Sequence, residues 1–138
     1  MRLEAMSCRY IIDSYAWIEY FRGSGMGEKA RPYVESQEAA TTTITIAELR
    51  EKYLREEWKY FDEDLAFITS TTLVVPLEKP IALLAGEINY AMKRLVKGWG
   101  ISDSIVLATA RAKSAKVVTG DEHFKGLKET IFLKNETV

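Results

Sequence analysis

The sequence predicts an α/β fold, on three observations. Short apolar or β-branched runs read as strands, stretches with helical spacing separate them, and no linker, repeat or low-complexity segment interrupts the alternation. Short apolar strands alternating with helices imply a parallel sheet covered on both faces.

The elements follow in order. Tyr10-Ile11-Ile12 is a β-prone run that ends at Asp13. Residues 14–22 have helical character and are expected to stop at Gly23 and Gly25. Residues 28–36 read as a second helix with Pro32 in its middle. Residues 40–44, Ala-Thr-Thr-Thr-Ile, are strand-like. Thr45-Ile46-Ala47-Glu48 matches a capping box and opens a helix with Ile46, Leu49, Tyr53 and Leu54 on one side. Residues 62–69 look helical, and Leu73-Val74-Val75 is an apolar strand closed by Pro76. Pro80 begins a long helix in which Ile81, Leu84, Ile88, Met92 and Leu95 keep helical spacing to Gly98. Residues 104–115 form a helix of small and apolar residues, followed by a strand at 116–119 and a last short strand at 131–133.

The length of 138 residues suits one domain, expected over 9–134, with an N-terminal extension at 1–8 and a tail at 135–138. Met6 is an alternative start to Met1, and the N-terminus lacks the apolar stretch of a signal peptide. No apolar run reaches the ~20 residues of a membrane span. The lone Cys8 rules out an intrachain disulfide and fits a reducing interior, so the cytoplasm is the expected compartment. With 19 basic and 20 acidic residues the chain is no polycation. Affinity for nucleic acid therefore has to come from a site rather than from bulk charge.

Four acids have the right places for such a site. In an open α/β sheet, ligands bind beyond the carboxyl ends of the strands. Asp13 directly follows the first strand, Glu48 is expected in the first turn after the second, and Asp121 lies two residues past the strand at 116–119. Asp103 starts the helix leading into that strand. Each has a plain alternative: Asp13 and Asp103 as N-caps, Glu48 as the third residue of its capping box, Asp121 as part of a turn. Caps, however, need not gather at one edge of one sheet. Clustered carboxylates stay ionised at neutral pH only with a compensating cation, and all-oxygen donors suit Mg²⁺ or Mn²⁺. One histidine and one cysteine cannot make a usual zinc site. No nucleophilic triad, phosphate loop or CxxC pair is present, so metal-assisted phosphodiester hydrolysis is the chemistry that an acid-only site supports best.

These segments resemble the PIN-domain family, and in particular the VapC-type toxins of toxin–antitoxin pairs. The matching motifs are Tyr10-Ile11-Ile12-Asp13-Ser14, Thr45-Ile46-Ala47-Glu48-Leu49, the Ala-rich stretch from Ser102-Asp103-Ser104, and Val117-Val118-Thr119-Gly120-Asp121 with the trailing Phe124. The resemblance spans about residues 9–134. It implies a sheet of about five parallel strands, a Mg²⁺ or Mn²⁺ site, and endoribonuclease activity in which metal-activated water leaves a 5′-phosphate and a 3′-hydroxyl. Asp13 and Asp103 match the acids that hold the metal most directly, Glu48 and Asp121 match supporting or second-metal ligands, and Ser14 and Thr119 match hydroxyls that orient them. An RNA substrate, a cognate antitoxin and homodimerisation are implied as well. The alternative is a catalytically silent PIN-like module acting through a protein partner. A haloacid-dehalogenase phosphatase would need a second Asp where Tyr15 stands, and a receiver domain would need paired acids at the first strand.

Secondary candidates are Lys93, Arg94, Lys97 and Trp99, before Asp103, which could guide an RNA backbone or stack a base. The competing reading makes the cations a solvated helix end. Arg50 is placed to contact phosphate or to be an ordinary surface arginine. Trp58, Tyr60 and Phe61 read first as core and second as a dimer or antitoxin surface. His123 reads first as a turn residue and second as a contact to substrate.

Overall fold

In the computed structural model, which describes residues 7–134, the strands are β1 (Tyr10–Ile12), β2 (Ala39–Thr42), β3 (Leu73–Val75), β4 (Lys116–Thr119) and β5 (Thr130–Phe132). They form one sheet in the order β3-β2-β1-β4-β5, every pair parallel. The helices are α1 (Ser14–Arg22), α2 (Gly25–Val34), α3 (Thr43–Arg55), α4 (Phe61–Thr71), α5 (Lys79–Met92) and α6 (Ile101–Lys113). The expectations for Met1, Met6 and residues 135–138 lie outside the described residues.

Neighbouring strand residues serve opposite faces. Ile11, Ala40 and Val117 join Ile81, Ala85 and Ile88 of α5 and the buried stretch of α6. Ile12, Ala39 and Val118 join Trp17, Val34, Leu49, Tyr53 and Ile68 of α1 to α4. Both faces are thus covered, which is why these strands read as apolar runs.

Several expected boundaries are corrected. Gly23, in the left-handed region at φ +67°, ends α1 on its own. Gly25 opens α2 three residues earlier than expected, because Ser24 Oγ caps it by accepting the Gly27 N–H at 3.1 Å. A Cβ at Gly27 would overlap the Glu19 carbonyl, so α1 and α2 approach as closely as they do only over a glycine. Pro32 sits near the end of α2 rather than in its middle. Thr42, not Thr45, caps α3, accepting the Thr45 N–H at 3.2 Å. Glu48 therefore lies in the second turn and takes no part in a capping box. α5 stops at Met92, leaving 93–98 as turns and Leu95 77% exposed instead of on an apolar stripe. α6 starts at Ile101, so Asp103 is its third residue and not its cap.

Chain order along the sheet reverses at β1: β2 and β3 lie on one side of it, β4 and β5 on the other. A crevice is expected beyond the carboxyl ends of strands flanking such a reversal. Asp13 and Asp121 follow the two strands that flank it.

Candidate active site

Asp13 caps α1: its Oδ1 accepts the Ala16 N–H at 3.0 Å. The carboxylate is buried, and its pKa is pushed up to about 7. Burial is the main cause, opposed by hydrogen bonds from the Thr119 hydroxyl and Ala16 N–H and reinforced by the charges of Asp121 and Glu48. Thr119 is fully buried at the end of β4, and its Oγ1 also accepts the Asp121 N–H at 2.9 Å. One hydroxyl thereby joins the acids that follow β1 and β4.

Glu48 reaches the same place from α3, which packs against both α1 and α6. Burial raises its pKa, the hydroxyls of Ser102 and Ser14 pull it down, and the charges of Asp103 and Asp121 raise it further. Asp103 is anchored by a loop bond: its Oδ2 accepts the Gly100 N–H at 3.1 Å, the return half of a box at the start of α6. Its pKa is also raised, mainly by burial, against hydrogen bonds from Gly100 and His123 and with a push from Asp121. Asp121 caps the single 3₁₀ turn Glu122–Phe124, its Oδ1 accepting the His123 N–H at 2.9 Å.

Four acids from four segments are therefore coupled electrostatically in one place. Among the described residues, Asp103, Asp121 and His123 each offer a donor atom within 4.8 Å of the others, close enough to share one ion. Asp13 is coupled to that group through Asp121, and Glu48 through both Asp103 and Asp121. The donor set fits a divalent cation: buried carboxylates that raise one another's pKa are relieved by positive charge, and carboxylate oxygens suit Mg²⁺ and Mn²⁺.

Other expectations divide. The Ser14 hydroxyl hydrogen-bonds Glu48. Ser102 joins the cluster through Glu48 and His123 through Asp103; the first contact needs α6 to meet α3 and the second needs it to meet the turn after β4. Trp99 is corrected: its ring is 3% exposed, donates Nε1–H to Ser104 Oγ at 2.7 Å and packs on Phe124, so it is not open to stack a base. Lys93, Arg94 and Lys97 are exposed in the turns that lead to α6. Arg50 is exposed and holds its guanidinium 4.8 Å from the Phe61 ring centre, on the α4 side. Trp58 and Phe61 pack edge-on against Tyr53 as core neighbours, whereas Tyr60 is 71% exposed.

A family model described as PIN domain matches residues 10–129. Comparison with curated protein sequences returns no match. Solved structures similar to the chain include a toxin–antitoxin complex from Klebsiella pneumoniae, at TM-score 0.70 and 19% identity over 92% of this chain and 99% of that one. A DNA-bound VapBC from Salmonella typhimurium follows at TM-score 0.69, 19% identity and the same coverage of 92% and 99%. PAE2754 from Pyrobaculum aerophilum is similar at TM-score 0.67 and 18% identity over 93% of this chain and 92% of that one. At these identities the likeness is one of fold.

Proposed function

Because the chain belongs to the PIN domain family, we propose that it is a divalent-metal-dependent endoribonuclease, the toxin of a VapBC-type toxin–antitoxin pair. The observation that carries the reading is the acid cluster at the reversal of the sheet, where Asp103, Asp121 and His123 donor atoms lie within 4.8 Å of one another and Asp13 and Glu48 are coupled to them. The toxin assignment draws on the structural neighbours, several of which are toxin–antitoxin complexes.

Asp103 and Asp121 would hold Mg²⁺ or Mn²⁺, with Glu48 and Asp13 supplying further negative charge. Held by these residues, such a cation would supply a more acidic water and positive charge to offset the phosphate's. The chain's own residues arrange the site. Thr119 ties Asp13 to the Asp121 backbone, Ser14 and Ser102 orient Glu48, and the Gly100 N–H fixes one Asp103 oxygen.

Lys93, Arg94 and Lys97 offset the acids' repulsion of an RNA backbone from the turns before α6. Lys97→Ala is expected to weaken binding of single-stranded RNA severalfold at low salt and less at high salt, with the slope of log affinity against log salt shallower by about 0.7. Affinity unchanged across a salt titration would return Lys97 to the role of an ordinary surface residue.

The groove lined by Ile18, Phe21, Tyr53, Trp58 and Tyr60 is the surface we assign to the antitoxin. Leu83 and Tyr90, one heptad apart on α5 and 63% and 73% exposed, are assigned to a second copy of the chain.

The test is incubation of a mixed RNA pool with purified protein in Mn²⁺ or Mg²⁺, and in EDTA. Cuts that need metal and leave 5′-phosphate and 3′-hydroxyl ends are expected. RNA left intact in metal by antitoxin-free protein would favour the silent module instead.

A further inference from the structure

We propose that His123 is a positioning residue for the cation, donating its Nδ1–H to Asp103 Oδ2 and so turning Asp103 Oδ1 toward the metal. The inference rests on the metal-dependent reading above and gives His123, whose ring nitrogen lies within that cluster, a role other than ligand. Asp103 Oδ2 lies 3.0 Å from His123 Nδ1 and accepts the Gly100 N–H at 3.1 Å. An ionised carboxylate only accepts, so the imidazole proton belongs on Nδ1. With Oδ2 engaged twice, Oδ1 is the oxygen left to a cation.

The ring is held for this task. Its own backbone N–H is fixed by Asp121 Oδ1 at 2.9 Å, and that oxygen stands 3.8 Å from Nδ1. On the far side, Gly98 adopts φ +83°, and a Cβ there would come to 3.1 Å from Nε2. The turn carrying Lys97 thus closes onto the edge of the imidazole that Asp103 does not use. Trp99, buried next in sequence, sets its ring 6.3 Å from the imidazole at a tilt of 45°. His123 accordingly bridges both segments that supply the closest acids. Direct ligation through Nδ1 would require that nitrogen to give up Asp103 Oδ2; the observed pairing favours the hydrogen bond.

Hydrogen-bond partners of metal ligands typically change metal affinity 10–100-fold when removed. The test is the dissociation constant for Mn²⁺ alone, read from the electron paramagnetic resonance of free Mn²⁺, for wild type and three variants. His123→Ala is expected to bind about 10-fold or more weakly. His123→Asn recovers most of the loss, because its amide nitrogen stands where Nδ1 stood. His123→Gln does not, because its amide falls at the Nε2 position against Gly98. Circular dichroism of the three variants separates a folding defect from a binding one, and rescue by Asn but not by Gln is an effect that bulk packing would not produce.

Wild-type affinity in His123→Ala, or equal affinities for the Asn and Gln variants, would overturn the inference while leaving the metal site in place. An ¹⁴N coupling in the spin-echo spectrum of bound Mn²⁺ that vanishes in His123→Ala would overturn it in favour of direct ligation. A wild-type protein that binds no Mn²⁺ at millimolar concentration would remove the metal-dependent reading itself, and this inference with it.

Discussion

Asp13→Asn is expected to lower RNA cleavage by about 10²-fold or more while making the metal-free protein more stable. The activity loss follows if Asp13 contributes charge to the cation site, where even partners of ligands are worth 10–100-fold. The gain in stability follows from burial. Asp13 is 5% exposed and its pKa is pushed up to about 7, from an ordinary 3.8. In the absence of metal, ionising it inside the fold costs up to about 4 kcal/mol at about 1.4 kcal/mol per pKa unit. The folded chain holds this proton more tightly than the unfolded chain does. Stability from this group is therefore full below about pH 4, declines as pH rises through about 7, and is flat above. Asn keeps the cap on Ala16 and has no charge to bury, so its denaturation midpoint in EDTA should exceed the wild type's at pH 8 and lack that slope. Mn²⁺ should narrow the difference by stabilising the wild type. Equal midpoints at pH 8 would contradict the cost of burying this charge, and cleavage at the wild-type rate would place Asp13 outside the site.

Trp17→Ala is the second large effect, on stability. The indole is fully buried, stacks on Phe21 at 5.3 Å, meets Tyr20 and Phe67 edge-on, and donates Nε1–H to Thr41 Oγ1 at 3.1 Å. That bond joins α1 to β2, and Thr41 passes it on to Thr72 at 2.8 Å. Truncating a buried Trp costs about 3–5 kcal/mol, a large part of the 5–15 kcal/mol by which domains are stable. A fall in Tm of about 10 °C or more is expected at a few degrees per kcal/mol. Trp17→Phe should lose markedly less. A Trp17→Ala protein melting within about 3 °C of wild type would mean that this aromatic cluster is not what holds α1 on the sheet.

What could be read from the sequence follows physical lines. β1, β3 and β4 were legible because strands buried on both faces are written as uninterrupted apolar or β-branched runs, and Asp13 was legible because it ends one of them. Helix starts were harder. Thr42, Thr43 and Thr45 can all cap, and the choice falls on Thr42 because it still pairs with Val75 in the sheet. That tertiary pairing moves Glu48 a turn inward, away from the helix end and toward Ser14 and Ser102. Gly25 looked like a terminator, yet the close approach of α1 and α2 needs a glycine at 27 and a helix already begun. Trp99 looked like an exposed aromatic beside cations, but its indole N–H is satisfied in the interior by Ser104. The pairing of His123 with Asp103 has no local pattern behind it, since the two lie 20 positions apart.

The most direct measurement is single-turnover cleavage of one RNA pool by wild type and by Asp103→Asn, across a Mn²⁺ titration with an EDTA control. Wild-type cutting that rises with Mn²⁺ and stops in EDTA, with the variant silent at saturating metal yet melting like the wild type in EDTA, is the expected result. Cutting by wild type and variant alike, or cutting that EDTA leaves untouched, would contradict a metal-dependent nuclease built on these acids.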